Sequence, residues 1–287
     1  MKLLRIGDEG TERPAVVVDD NTAFDVSGVA MGDFGPTFFA NNGIDRLREA
    51  VDNPATDLPQ VDLRNSRLGS PIGRPQKVIC IGLNYADHAR ESGLELPTEP
   101  VIFAKMSNTV IGPNDDIWIP RGSNRMDFEV ELGIVIGTES RYLADPDAAR
   151  DVIAGYCVSH DVSERTFQFD CGGQWVKGKS CERFNPLGPW LVTADEVRDV
   201  HELQLELRLN GEPQQQGTTA EMIFDVEQIV WYLSQFMVLE PGDLINSGTP
   251  AGVGMGQNPP RYLHDGDVVE LGITGLGTQC QTVRPAP

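Results

Sequence analysis

The sequence predicts an α+β fold with a dominant β core. Three observations carry this. Short strand patterns outnumber helical ones, residues 128–137 (FEVELGIVIG) alternate cleanly, and the C-terminal half repeats a cadence of turn then strand. Taken in order, residues 15–18 read as a short strand and residues 44–51 as a helix. Residues 53–59 carry two prolines and no apolar period, so they read as loop. Residues 1–73 are thus expected to form a small N-terminal domain, with 74–287 as the main one. Residues 77–83 (KVICIGL) read as a buried strand. Asp145, Pro146 and a glycine at 155 punctuate an expected helix. Asp225 and Gln228 form a capping box that opens another, with Ile229, Leu233 and Phe236 or Met237 along one face. LEPGDLINSG (239–248) and LHDGDVVELG (263–272) each set Gly-Asp before an apolar run, as expected of a curled, strand-rich end.

Composition narrows the partners. The 287 residues carry 43 acidic and 23 basic side chains, a net charge of −20. Only five of the basic residues are lysines: Lys2, Lys77, Lys105, Lys177 and Lys179. A field this negative repels nucleic acid and anionic membranes, and an anionic substrate needs its own local positive charge. Low lysine with high acid suits both a high-salt surface and an ordinary acidic cytoplasmic protein. No apolar run approaches the ~18 residues of a membrane span. The start, MKLLRIGDEG, has too short an apolar stretch for a secretory signal, so the cytoplasm is the expected compartment. Five cysteines without a C-x-x-C pair argue against a disulfide framework or a structural zinc site. Cys80 and Cys157 sit in apolar runs and read as core.

The chemistry concentrates in a few strings. On a strand from 128, Phe128, Val130, Leu132, Ile134 and Ile136 share one face, while Glu129 and Glu131 share the other beside Gly133, which is expected to leave room. Two carboxylates about 7 Å apart repel unless a cation lies between them, and Mg²⁺ or Mn²⁺ prefers such oxygens. By itself Glu-x-Glu is more often a solvated face paired with arginine. Downstream, the apolar run Tyr156–Val158 ends in His160-Asp161, which puts a third acid at a strand end. A helix from Ala86 places His88 and Glu91 three apart on one face. A carboxylate on one imidazole nitrogen raises the basicity of the other, which suits a general base, although such pairs are usually surface decoration. Lys179, with Lys177 as competitor, lies in a glycine-rich stretch where a cation can clamp an anion or enolate. SGTPAGVGMG (247–256) lacks both the Gly-Lys-Ser/Thr ending and a βαβ context, so it is not a nucleotide loop, and its Thr249 remains as a hydroxyl and amide donor.

As a set, GLNYADHARES, EPVIFAK, DFEVELGIVIG, GYCVSHDVSERTFQ, GGQWVKGKS, PLGPW, LEPGDLI and SGTPAGVG resemble, in order, the fumarylacetoacetate hydrolase family. The resemblance runs from about residue 76 to the end. It implies a mixed β-roll, a homodimer, and one Mg²⁺ or Mn²⁺ held by Glu129, Glu131 and Asp161. It also implies a water-activating dyad of His88 and Glu91 on a lid segment, with Gln168, Lys179 and Thr249 contacting a small 2-oxo acid. GGQWVKGKSC with PLGPWLVT looks most like the branch that hydrolyses 2,4-dioxo-3-deoxy sugar acids, such as L-2,4-diketo-3-deoxyrhamnonate, to pyruvate and a hydroxy acid. Oxaloacetate decarboxylation, hydroxymuconate-type isomerisation and dehydration of 2-oxo-3-deoxy acids are the family's other chemistries, and a non-catalytic sugar-acid-binding protein is the remote one. Two positions depart from the pattern: His160 stands where Asn is usual, and Glu182 where Asp is usual.

Overall fold

The computed structural model describes residues 1–91, 93 and 95–287. Ser92, which closes the GLNYADHARES motif, and Leu94 lie outside the described residues. The architecture is mainly β, as the short alternating segments require. An eleven-stranded sheet runs, neighbour to neighbour, through Gln60–Asp62, Thr22–Asp25, Arg13–Asp19, Lys2–Ile6, Leu191–Thr193, Ile153–His160, Val130–Ile136, Leu244–Asn246, Val78–Gly82 and Val101–Lys105. Leu68–Gly69 joins it on Lys2–Ile6. A second sheet orders Glu212–Thr218, Gln204–Leu209, Val268–Ile273, Gly277–Pro285 and Ile117–Ile119.

The strand Val130–Ile136 holds these layers together, because it is buried on both faces. Phe128, Val130, Leu132, Ile134 and Ile136 pack with Leu205, Leu207, Val269 and Leu271 of the second sheet in one cluster. On the opposite face Val135 joins Cys157, Leu244 and Cys80, under Phe34, Phe38 and Leu47 of the helical layer. That layer contains the helices Pro36–Ala40 and Gly43–Asp52, the second of them close to its expected position. The apolar parity read from the sequence is therefore correct, but its other parity faces protein rather than water. Gly133 likewise leaves no open space: a Cβ there would lie 2.9 Å from Cys157 Sγ and 3.3 Å from Leu244 Cδ1. Its lack of a side chain serves strand packing.

The expected helix after Asp145 is a correction. Only a 3₁₀ segment, Asp147–Val152, forms, and the chain enters the strand Ile153–His160 at once. Asp145 Oδ1 does accept the Ala148 N–H at 3.1 Å, so the cap signal is real. The next residues are Ile-Ala-Gly-Tyr-Cys-Val, whose burial between two sheet neighbours outweighs helix propagation. Gly155 is no helix terminus: it sits mid-strand, where any Cβ would overlap the Val192 carbonyl. The capping box forms fully, with Asp225 and Gln228 bonding each other's backbone amides, and opens the helix Val226–Ser234. Ile229 and Leu233 are buried on it and Met237 packs against the core, whereas Phe236 is exposed. The two echoing turns also agree, since Gly242 and Gly266 both adopt positive φ (85° and 86°) before the strands Leu244–Asn246 and Val268–Ile273. No helix among the described residues is long and apolar enough to cross a membrane.

Candidate active site

Strand register assembles the acids. Val130 pairs with His160 and Glu131 with Ser159 in an antiparallel ladder. One step beyond the ladder, Asp161 N–H donates to the Glu129 carbonyl at 3.0 Å, so these two residues sit opposite each other. Residues opposite in an antiparallel pair share a face, and Glu131 lies two along from Glu129 on that same face. Oxygens of Glu129, Glu131 and Asp161 come within 4.8 Å of one another, all three residues being buried. This brings together the triad that the sequence only suggested.

Cations approach two of the three acids. Lys179 Nζ donates to Glu129 Oε2 at 2.7 Å and to Asp161 Oδ2 at 2.8 Å. Lys105, at the end of the edge strand, also pairs with Asp161. Arg165 donates from Nη2 to Glu129 Oε1 (2.6 Å), from Nε to Asp127 Oδ2 (2.8 Å) and from Nη1 to Gln168 Oε1 (3.0 Å). Glu131 is different. Its Oε2 accepts the Gly248 N–H at 2.9 Å, and among the described residues no lysine or arginine pairs with it. Burial first, then the charges of Asp161 and Glu129, push its carboxyl well above the ordinary range. Burial also raises Glu129, but Lys179 and Arg165 outweigh it and hold that carboxyl far down. For Lys179 burial works to lower the pKa, and Asp161 with Glu129 reverse it and push it up.

Four buried carboxyl groups (Asp127, Glu129, Glu131, Asp161) face three cations, Lys105, Arg165 and Lys179, and Glu131 is the one that none of these cations pairs with. That imbalance, in a cluster of hard oxygens, fits a divalent ion such as Mg²⁺ or Mn²⁺, with Glu129, Glu131 and Asp161 as its ligands.

The glycine loop serves carboxylates, not phosphates. Its amides at Gly248, Ala251, Gly252, Gly254 and Met255 donate respectively to Glu131, Asp87, Glu91 and, for the last two, Asp127. Gly252 holds φ +105° and has no room for a side chain, because a Cβ would overlap the Gln214 carbonyl. The helix Ala86–Glu91 is thereby latched to the loop through both its acids. His88 Nδ1 and Glu91 Oε2 are 3.2 Å apart, with His88 buried. A carboxylate can only accept, so it places the proton on Nδ1 and leaves Nε2 as the basic nitrogen. Asn84 anchors the preceding turn, donating to Ser247 O (2.8 Å) and Phe224 O (3.0 Å).

His88, Glu129, Glu131, Arg165, Gln168, Lys179 and Thr249 line one cavity of about 180 Å³. Of the two competing lysines, Lys179 is buried there, whereas Lys177 is exposed and donates to the Cys171 carbonyl at 2.6 Å. The Thr249 hydroxyl is occupied, donating to Val130 O and accepting from Gln215 Nε2. Sequence reasoning missed Arg165, Lys105 and Asp127. A lysine ending an apolar strand in so lysine-poor a chain was a usable signal for Lys105, and the i, i+3 spacing of Arg165 and Gln168 was one for Arg165.

Of the two departures, Glu182 is exposed. His160 is fully buried, its Nδ1 2.9 Å from Gln281 Oε1, and burial above all lowers its pKa to about 4. With a folded pKa below the unfolded value of 6.5, neutral His160 contributes stability above that pH, and the contribution is lost as pH falls toward about 4. The slope is at most about 1.4 kcal/mol per pH unit. His160→Asn is expected to flatten the fall in melting temperature between pH 6.5 and 4. The same fall in both proteins would show that another group governs it.

A carboxylate cluster, a carboxylate-oriented imidazole and a buried ammonium around one small cavity are the parts of an acid–base site for small molecules. Residues 77–284 match the family described as fumarylacetoacetate (FAA) hydrolase C-terminal, and the chain belongs to this family. A protein of Burkholderia multivorans provisionally named a hydrolase is 50% identical over 289 residues, covering 100% of each chain. A 5-carboxymethyl-2-hydroxymuconate delta-isomerase from Mycobacterium smegmatis superposes with a TM-score of 0.79 at 31% identity, covering 100% of each. A maleylpyruvate hydrolase from Sphingobium, solved with manganese(II) and pyruvate, gives 0.82 at 26%, again over 100% of each. The family and the mainly β fold implied by the motifs therefore hold, and the chain is a hydrolase or isomerase of this family.

Proposed function

We propose that this enzyme hydrolyses the C3–C4 bond of a 2,4-dioxo acid, releasing pyruvate and a carboxylic acid. The observation that carries this reading is that Glu129 and Glu131 of the acid cluster and His88 of the histidine–glutamate pair line one cavity. Glu129, Glu131 and Asp161 would hold Mg²⁺ or Mn²⁺, which would supply Lewis-acid polarisation of the substrate's 2-oxo group. His88 Nε2 takes a proton from water, which adds to C4 as hydroxide. The C3–C4 bond then breaks, its electron pair delocalises from C3 onto the 2-oxo oxygen, and the Lys179 ammonium offsets that charge. His88 returns the proton to C3. Water is thus divided between a carboxyl on the acyl fragment and the methyl group of pyruvate. Arg165 keeps Glu129 and Gln168 in place, and Glu91 keeps the imidazole in the basic tautomer.

Support from relatives is of two kinds: the Sphingobium hydrolase is described with manganese(II) and pyruvate, and the motif resemblance points to 2,4-dioxo-3-deoxy sugar acids. Hydroxymuconate-type isomerisation, the reaction in the name of the M. smegmatis relative, moves protons without consuming water. The test is pyruvate release from acetylpyruvate and from a 2,4-dioxo-3-deoxy sugar acid, with oxaloacetate alongside. Release from a dioxo acid that stops on chelation and resumes with Mn²⁺ is the expected result. Release from oxaloacetate alone would replace hydrolysis by decarboxylation.

A further inference from the structure

The proposed reaction uses only part of the cavity. The remaining wall is apolar and is built from a chain of contacts that starts at the reactive lysine. Lys179 Nζ lies 5.1 Å from the centroid of the Phe103 ring. Phe103 packs edge-on against Trp175 with centroids 5.3 Å apart, and Trp175 packs edge-on against Phe169 at 6.1 Å. Exposure rises along this path, from buried Lys179 through half-buried Phe103 and Trp175 to Phe169, which is 41% exposed. Ile81 and Met255 line the same cavity. Trp175 occupies space that Gly82 leaves open: a Cβ at 82 would lie 2.7 Å from Trp175 Cζ3. The ring is therefore seated by backbone rather than by an adjustable side chain.

This wall restricts the substituent that C4 of a substrate can carry. Arg165 and Lys179 are the only cations lining the cavity among the described residues, and both already bond the acid cluster. A second carboxylate at the tail finds no positive partner, and Glu91 adds further negative charge beside His88. A polyol tail fares little better, since each buried hydroxyl needs a partner and, apart from the Gln168 amide and the Trp175 indole N–H, the polar side chains lining the cavity already bond protein groups. An apolar tail needs neither.

Resting on the hydrolase reading above, we propose that the substrate is a monocarboxylic acylpyruvate with a short apolar acyl tail, and that Phe169 and Trp175 select for it. This departs from the sugar-acid tail that the motif resemblance suggests, and from the dicarboxylic substrate named in the Sphingobium hydrolase. The cavity of about 180 Å³ limits the tail to a few carbons unless Phe169, at the rim, moves.

Binding tests this without turnover. Simple 2-oxo acids have no 4-oxo group to attack, so calorimetric titration of the Mn²⁺-supplemented enzyme reads affinity alone. Pyruvate, 2-oxobutanoate, 2-oxopentanoate and 2-oxohexanoate are expected to tighten by about fourfold per added methylene. 2-Oxoglutarate and a 2-oxo-3-deoxy sugar acid are expected to bind at least about tenfold more weakly than 2-oxopentanoate. Phe169→Ser, at a half-open position that tolerates a small residue, is expected to reduce the increment to about twofold or less. A flat series, or tighter binding of the diacid or the sugar acid, overturns the proposal. Acetylpyruvate hydrolysis is measured in parallel. Hydrolysis with a flat series removes the apolar tail and leaves the reaction, whereas a steep series without pyruvate release removes the reaction and leaves the tail.

Discussion

Replacing Glu131 with glutamine is expected to make the metal-free protein more stable while lowering turnover by at least about 10³-fold. The two effects share one cause. Glu131 is buried beside two other carboxylates with the Gly248 N–H as its hydrogen-bond donor, and its carboxyl is pushed well above the ordinary range, first by burial. A group whose folded pKa is raised contributes stability below its unfolded pKa and loses it as pH rises through the folded one. The metal-free protein therefore loses this stability as pH rises above the ordinary carboxyl range. Glutamine keeps the shape and cannot ionise, which is expected to recover about 1–3 kcal/mol above the ordinary carboxyl range, with about 2–4 °C in melting temperature for each kcal/mol. The same substitution removes one ligand of the proposed ion. Wild type at 100-fold excess of Mn²⁺ over Kd is expected to gain about 2.7 kcal/mol from binding, and the variant much less. Loss of Lewis-acid stabilisation by several kcal/mol sets the fall in turnover. Melting curves with chelator and with Mn²⁺ decide the matter: an equal metal-induced gain in both proteins would remove Glu131 from the ligand set.

The range of each interaction explains which parts of the site were legible in the residue pattern and which were hidden. Period-2 alternation is local, so the parity that buries Phe128, Val130 and Leu132 together was readable, and with it the shared face of Glu129 and Glu131. The spacing of His88 and Glu91 on one helical turn was readable for the same reason. Asp161 needed more. Its place opposite Glu129 is a consequence of register between two strands, which the sequence near either strand does not specify. Arg165 was missed because its partners Asp127 and Glu129 lie 38 and 36 residues away, in another element. Lys179 and Lys177 differ by two positions and only the fold separates them: Gly178 between them fits so closely under Glu164 and Gln168 that a Cβ would overlap their backbone. That contact turns Lys179 inward and leaves Lys177 at the surface. The misread helix after Asp145 has the converse explanation. A cap announces where a turn begins, but cross-strand burial of Ala154, Cys157 and Val158 decides how far it runs.

The second large effect concerns His88. Its alanine variant is expected to lose about 10²–10⁴-fold in the hydrolysis of acetylpyruvate, the range over which a positioned general base acts. The imidazole is the only group in the cavity, among the described residues, arranged as a base on water: Glu91 fixes Nδ1 as the donor, while Lys179 and Arg165 are held as cations by carboxylates. The carboxylates themselves are claimed by those cations and by the proposed ion. Decarboxylation of oxaloacetate needs stabilisation of an enolate but no activated water, so any such side activity is expected to fall by less than about tenfold in the same variant. The ratio of the two activities therefore reports water activation and cancels losses from partial unfolding, which lower both together. Glu91→Gln is expected to fall between wild type and His88→Ala in hydrolysis, because the amide can still meet Nδ1 but, offering both a donor and an acceptor, no longer fixes the imidazole in the tautomer that leaves Nε2 open. The ratio of hydrolysis to oxaloacetate decarboxylation separates a positioning role from a structural one, since misorienting the imidazole lowers hydrolysis alone, whereas mere loosening of the helix lowers both. If His88→Ala lowers both reactions equally, His88 binds substrate instead of activating water, and the hydrolytic mechanism loses its base.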